Sequence, residues 1–166
     1  MFRLLPHKLL GEGHFVAVLR KMEGNGERVP LQTGEKAPKQ WTEFAKELGI
    51  QLPEGRRLFF GQSLHWIPED MPDIHGVKVL RPGLELGQVK KDRFEPSHAL
   101  ALWLKSAANC QDYPADSDCA QRWLHGDVVE SSKKGWCLVT VDGYSIGWGK
   151  GDGKVLKNHY PKGLRR

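Results

Sequence analysis

Cysteine is scarce in this chain, and what there is forms no framework. Three cysteines in 166 residues is an odd number, which argues against a disulfide scaffold. Cys110 and Cys119 lie nine positions apart in a polar stretch, neither a CxxC pair nor a zinc-knuckle spacing. Cys137 sits inside the apolar run Trp136 to Val141 and reads as a small core residue. The seven histidines are scattered, with no HExxH, so no metal site is expected. No apolar run approaches the roughly 18 residues of a membrane span, and no transmembrane helix is expected. Pro6, His7 and the Gly11–His14 stretch interrupt the N-terminus too often for a signal peptide, so the expected location is the cytoplasm.

Glycine and proline are plentiful instead, 19 and 10 residues. Many turns and short elements follow, which points to an α+β chain. An apolar content of 39% with six tryptophans is enough to fill a core. Residues 13–21 read as a short strand buried on both faces. Such a strand needs a sheet around it, and the expectation is that the chain is cut from something longer. Residues 23–40 are rich in Gly, Pro and charge, without a period, and read as a linker.

Trp41, Phe44, Ala45 and Leu48 fall at helical spacing, with Pro38 before them and Gly49 after. Residues 57–67 read as a hairpin turning at Gly61-Gln62. Residues 77–80 and 84–89 read as strands around the turn Arg81-Pro82-Gly83. A second helix is expected over 96–108, with Ala99, Leu102 and Trp103 on one face; the Leu and Ala alternation also permits a strand. A third, from Cys119 to His125, has Asp116 or Ser117 as its cap and Gly126 as its stop. The sequence then predicts strands over 135–141, 144–150 and 154–157. Asp142-Gly143 is a strong hairpin signal between the first two. Three antiparallel strands with glycines at crossing points suggest a small barrel-like sheet.

Charge is the most uneven property. From Gly143 to Arg166 there are six basic residues and a single acid, Asp152, which equals the whole chain's formal net charge of +5. A basic excess beside Tyr144, Trp148, His159 and Tyr160 suggests a surface for a polyanion, nucleic acid first; the plain alternative is a solvated tail. Residues 109–130 carry five acids against one arginine and should face away from such a ligand.

The runs Arg81 to Ala101, Val141 to Lys150 and Lys157 to Arg165 resemble the C-terminal region of the Sun-type family of bacterial small-subunit (16S) rRNA cytosine-C5 methyltransferases. Arg3 to His7 with Gly11 to Ala17 is similar to the closing strands of that family's catalytic domain. The resemblance implies four parts: remnant catalytic strands over 1–22, a linker over 23–37, a small α+β middle domain over 38–80, and a PUA-like RNA-binding pseudobarrel over 81–166. It implies ribosomal RNA or the small ribosomal subunit as partner, a linked catalytic domain, no membrane, and a monomer. The family's chemistry uses S-adenosylmethionine and a cysteine thiolate, with a second cysteine in a Pro-Cys pair. No cysteine here follows a proline and there is no Gly-rich cofactor fingerprint, so no catalytic residue and no bound cofactor are expected in this chain.

Candidates for phosphate contact are Lys150, Lys154, Lys157, Lys162 and Arg165, with Lys90, Lys91 and Arg93 as a second cluster. Trp148, Asn158 and His159 are of the type that meets splayed bases or a 2′-OH. Against this, Trp148 lies two residues from Ile146 and can equally face the core; Asn158 can be a turn former, and His159 with Tyr160 can cap the barrel. Tyr144 is expected in the core, and His98 as a helix-start residue bonded to backbone. The expected role is an accessory region that positions small-subunit rRNA for a linked methyltransferase; the alternative is a protein-contact module that buttresses the catalytic domain.

Overall fold

The computed structural model describes residues 2–4, 14–17 and 29–166. Strands β1 (Phe2–Leu4) and β2 (His14–Val16) pair antiparallel, Phe2 opposite Val16. Apart from Ala17, the rest of the strand expected over 13–21 lies outside the described residues, as do Gly11 and the start of the expected linker. The described part of that linker is strapped to the fold. Gln32 N–H donates to the Met71 carbonyl, Glu35 N–H to that of Arg57, and Arg56 Nη1 to that of Gln32.

Helix α1 runs from Lys39 to Leu48. Trp41, Phe44 and Leu48 are its buried stripe, and Gly49 closes it in the left-handed conformation (φ 65°) that glycine adopts without a Cβ penalty. A four-stranded antiparallel sheet follows: β3 (Arg56–Phe60), β4 (Ser63–Ile67), β5 (Leu84–Val89) and β6 (Phe94–Pro96), in that order. The 77–80 strand does not form. Val77 and Leu80 are exposed in a loop, because β4 already has β5 as its second neighbour. Position 81 therefore falls within the connection between two paired strands of one sheet.

Helix α2 (His98–Trp103) is shorter than expected and turned the other way. Ser97 caps it, its Oγ accepting from Leu100 N–H. Leu100, Ala101 and Leu104 are buried, while Leu102 and Trp103 are exposed. The chain continues through β7 (Cys110–Tyr113), α3 (Asp118–His125) and β8 (Val129–Glu130). Strands β9 (Lys134–Val141), β10 (Tyr144–Asp152) and β11 (Val155–Asn158) come next, then a 3-10 turn over Lys162–Leu164. Ser117 and Gly126 cap α3 as expected. Asp142 and Gly143 both have positive φ (47° and 79°), the twist that a two-residue hairpin requires.

The second sheet is ordered β7-β9-β10-β11-β8, with β7 parallel to β9 and the other pairs antiparallel. It is the curled, PUA-like sheet, preceded by the small α+β part. A Cβ on Gly149 would stand 2.6 Å from Leu156 Cγ, so glycine lets β10 and β11 close up as the sheet curls.

Strand β9 divides two cores. Leu138 joins Trp41, Phe44, Leu86, Leu100 and Trp148 on one side. Cys137 and Val139 join Tyr113, Trp123, Val129 and Leu156 on the other. A bulge in β10 between Ser145 and Gly147 shifts the pairing by one residue. Ile146 therefore packs on the second core and Trp148 on the first, although a regular strand would put them on one face. Among the described residues no helix is long and apolar enough to cross a membrane.

Candidate nucleic-acid interface

Beyond Trp148 the first face of the β9–β10–β11 sheet becomes half-buried at Trp136 and exposed at Lys150 and Lys157. There Lys150 stands opposite Trp136 on one side and Lys157 on the other. Two ammonium groups facing each other across a strand pair repel and destabilise the sheet. The Lys150 ammonium lies 5.3 Å from the Trp136 ring centroid, a cation–π distance. His159, just past β11, is held by its N–H on the Trp148 carbonyl. Its ring meets Trp136 edge-on, with centroids 4.7 Å apart. The histidine's pKa lies below the ordinary imidazole value, through burial first and the Lys150 charge second, partly offset by Glu95.

The other sequence candidates divide. Lys154 and Lys162 are exposed and enter no salt bridge among the described residues. Lys91 is exposed at the β5–β6 turn, which Gln40 ties to α1 by donating to the Lys91 carbonyl. Arg93 forks onto Glu95 at 2.7 and 2.9 Å, and Lys90 donates to Gln88 Oε1 at 2.7 Å. Arg165 is half-buried over Gly126, with Nε and Nη2 donating to the Tyr160 carbonyl.

Two candidates are corrected. Trp148 is only 2% exposed, in T-shaped contact with Phe44, and its Nε1–H donates to the Ser97 carbonyl at 2.8 Å. It cannot stack on a base. Asn158 has both ends of its amide occupied inside the fold. Nδ2 donates to the carbonyls of Trp123 and Asp127, and Oδ1 accepts from Tyr160 N–H. It locks β11 to the end of α3. Tyr144 is corrected in the opposite sense, being 78% exposed at the hairpin end. His98 packs edge-on against Tyr160 and leaves its Nδ1 without a protein partner, rather than bonding backbone.

Trp136 is the residue that sequence reasoning missed. Extending the tight hairpin without a bulge pairs Lys150 with Gly135, and the observed bulge moves Trp136 there instead. The acidic segment divides. Trp123 of α3 packs on the second core, on the side of β9 away from Lys150, but Glu130 of β8 stands opposite Val155 and so shares the face of Lys157.

The Cys137 thiol is buried and pushed up to about 11, by burial first and Cys110 second, and a thiol in that state is inert at neutral pH. Among the described residues no group of three or more His, Cys, Asp or Glu is placed to hold a metal.

Comparison with known proteins gives two family matches in tandem. Residues 43–104 match the RsmF rRNA methyltransferase first C-terminal domain, and residues 110–166 match the methyltransferase RsmF PUA domain. Curated relatives include the ribosomal RNA small subunit methyltransferase F of Enterobacter sp. (strain 638), 28% identical over 93% of this chain and 35% of the relative. The protein of that name from Vibrio atlanticus is 28% identical over 98% and 38%. The one from Shewanella piezotolerans is 29% identical over 92% and 35%. The chain thus spans just over a third of the length of the curated relatives it matches.

Proposed function

We infer, for a chain that belongs to the RsmF rRNA methyltransferase family through its first C-terminal and PUA domains, that it is the RNA-binding accessory region of an rRNA methyltransferase. In this reading it grips small-subunit rRNA and positions it for a linked, S-adenosylmethionine-dependent cytosine-C5 methyltransferase domain in the cytoplasm. No residue of this chain is given a catalytic or cofactor role. The domain division is drawn at 105–109, between the two family matches.

The observation that carries the reading is the opposed Lys150–Lys157 pair beside the Trp136–His159 contact. Like charges held face to face are relieved by an anion, and a phosphate is the anion that RNA supplies at every step. The adjoining aromatic ring suits a splayed base. If Lys150, Lys154, Lys157 and Lys162 each neutralise a phosphate, log affinity falls against log salt with a slope of about −3.

The test is a titration of naked small-subunit rRNA fragment across a salt series. Reversing Lys157 and Lys162 to Glu is expected to weaken binding at least tenfold and flatten the slope by about 2. Unchanged affinity and slope would overturn the proposed face.

A second reading has one observation of its own. Leu102, Trp103 and Tyr144 are 57%, 41% and 78% exposed, an apolar end of the type that meets protein. In that reading the region buttresses the catalytic domain, and naked RNA fails to saturate it.

A further inference from the structure

A cavity of about 230 Å³ opens beside the basic face, between α1, the β5–β6 turn and the exposed end of β9 and β10. Its lining has an unexpected charge for a surface that meets RNA. Glu43, Glu47 and Asp92 all reach it, with Lys150 and Trp136 on the side shared with the basic face, and with Arg93, whose guanidinium is already taken by Glu95. Glu43 is balanced by Lys39 at 3.5 Å. Glu47 and Asp92 enter no salt bridge or side-chain hydrogen bond among the described residues. The Glu47 carboxylate leans on β9, 3.2 Å from where a Cβ on Gly135 would stand.

Two free carboxylates repel a phosphate chain, so in an RNA interface they need another partner. A carboxylate only accepts. It is matched by an edge that presents two donors side by side, and among the four RNA bases guanine alone does so, through N1–H and the N2 amine. Adenine and cytosine each alternate an amine with a ring acceptor, and uracil has a single ring N–H. A purine fits the volume, Trp136 offers an aromatic edge of the lining, and Lys150 on the same lining is a cation for the attached phosphate.

We propose that this cavity is a subsite for one unstacked guanine of the bound RNA, read by Glu47 or Asp92 through its Watson–Crick edge. The proposal rests on the RNA-binding reading above and adds base selectivity to it.

The probe is a labelled oligopyrimidine RNA carrying one central purine, followed by fluorescence anisotropy with the full chain. Guanosine is expected to bind about tenfold tighter than adenosine, with inosine, which lacks the N2 amine, between them. Glu47→Gln together with Asp92→Asn, both at exposed positions, should bring the three affinities within about twofold of one another. Lys157→Glu should weaken all three alike and keep their ratio. Equal affinities in the unmodified chain, or a guanosine preference that survives the double variant, overturn the subsite and leave RNA binding standing. A chain that binds none of the oligonucleotides overturns both.

Discussion

One face of the β9–β10–β11 sheet serves as core at one end and as candidate interface at the other. At the covered end Leu138 and Trp148 lie beneath α1 and α2, almost without exposure. One pair further along, Trp136 and Lys150 stand on the same face, half-buried and exposed in turn, with the end of α1 at their side across an open cavity. Lys157 and His159 lie next to them. Burial is set by the reach of the covering helices. Helix α2 is six residues long and buries Leu100 and Ala101, while Lys150 is exposed. The two tryptophans are chemically alike; Trp148 is enclosed by the core, whereas Trp136 is half-buried at its edge and keeps part of its surface open.

Truncating one and then the other breaks the comparison most sharply. Trp148→Ala should destabilise the fold by about 3–5 kcal/mol, as for other large buried aromatics, seen as an earlier denaturant midpoint. Trp136→Ala should cost far less stability and weaken RNA binding by about 1–3 kcal/mol, the usual worth of base–aromatic stacking. If Trp136→Ala leaves RNA affinity intact, the uncovered end is not the contact surface.

A smaller effect is expected at Asn158. Its replacement by Ala removes the amide that the Trp123 and Asp127 carbonyls rely on. A stability loss of about 1–3 kcal/mol is expected, with no change in the RNA salt slope once folded protein is compared. A flattened slope would restore Asn158 as a contact.

The smallest effect is in pH. His65, His98 and His159 all have pKa values below the ordinary imidazole value, with burial the leading cause in each. The folded state therefore resists protonation more than the unfolded chain. Their contribution to stability is complete above the unfolded value near 6.5 and declines as pH falls below it. RNA binding should move the other way over the same interval. A phosphate beside His159 favours the imidazolium, so affinity rises as pH falls, by a few-fold at most on the order of one surface ion pair. His159→Gln should abolish that rise and leave the stability trend from His65 and His98. A pH-independent affinity in the unmodified chain would make His159 a cap on the barrel end.

Much of the fold was legible because local chemistry decided it. Trp41, Phe44 and Leu48 form a stripe that only a helix can bury together, and Pro38 and Gly49 bound it. Asp142-Gly143 and Gly61-Gln62 turn where their backbones permit. Ser117 and Gly126 bracket α3. Elements whose stability comes from distant partners were not legible. Strand β7 exists because β9, some 28 residues on, accepts it in parallel, and β6 and β8 are too short to carry a period of their own. In α2 the stripes Ala99-Leu102-Trp103 and Leu100-Ala101-Leu104 are equally apolar. The second is buried because β5 and β10 stand on that side.

The site divides in the same way. By itself the sequence determined where charge accumulates, since the six basic residues and one acid of 143–166 are a property of composition. It determined the turns as well, since these depend on one or two residues. Which of those residues are exposed and which are enclosed depends on long-range packing. A one-residue bulge after Ser145 sends Trp148 into the core and brings Trp136 beside Lys150. Side chains alternate along a strand, so a shift of one residue exchanges the two faces. No local pattern in the sequence marks the residue at which that shift occurs.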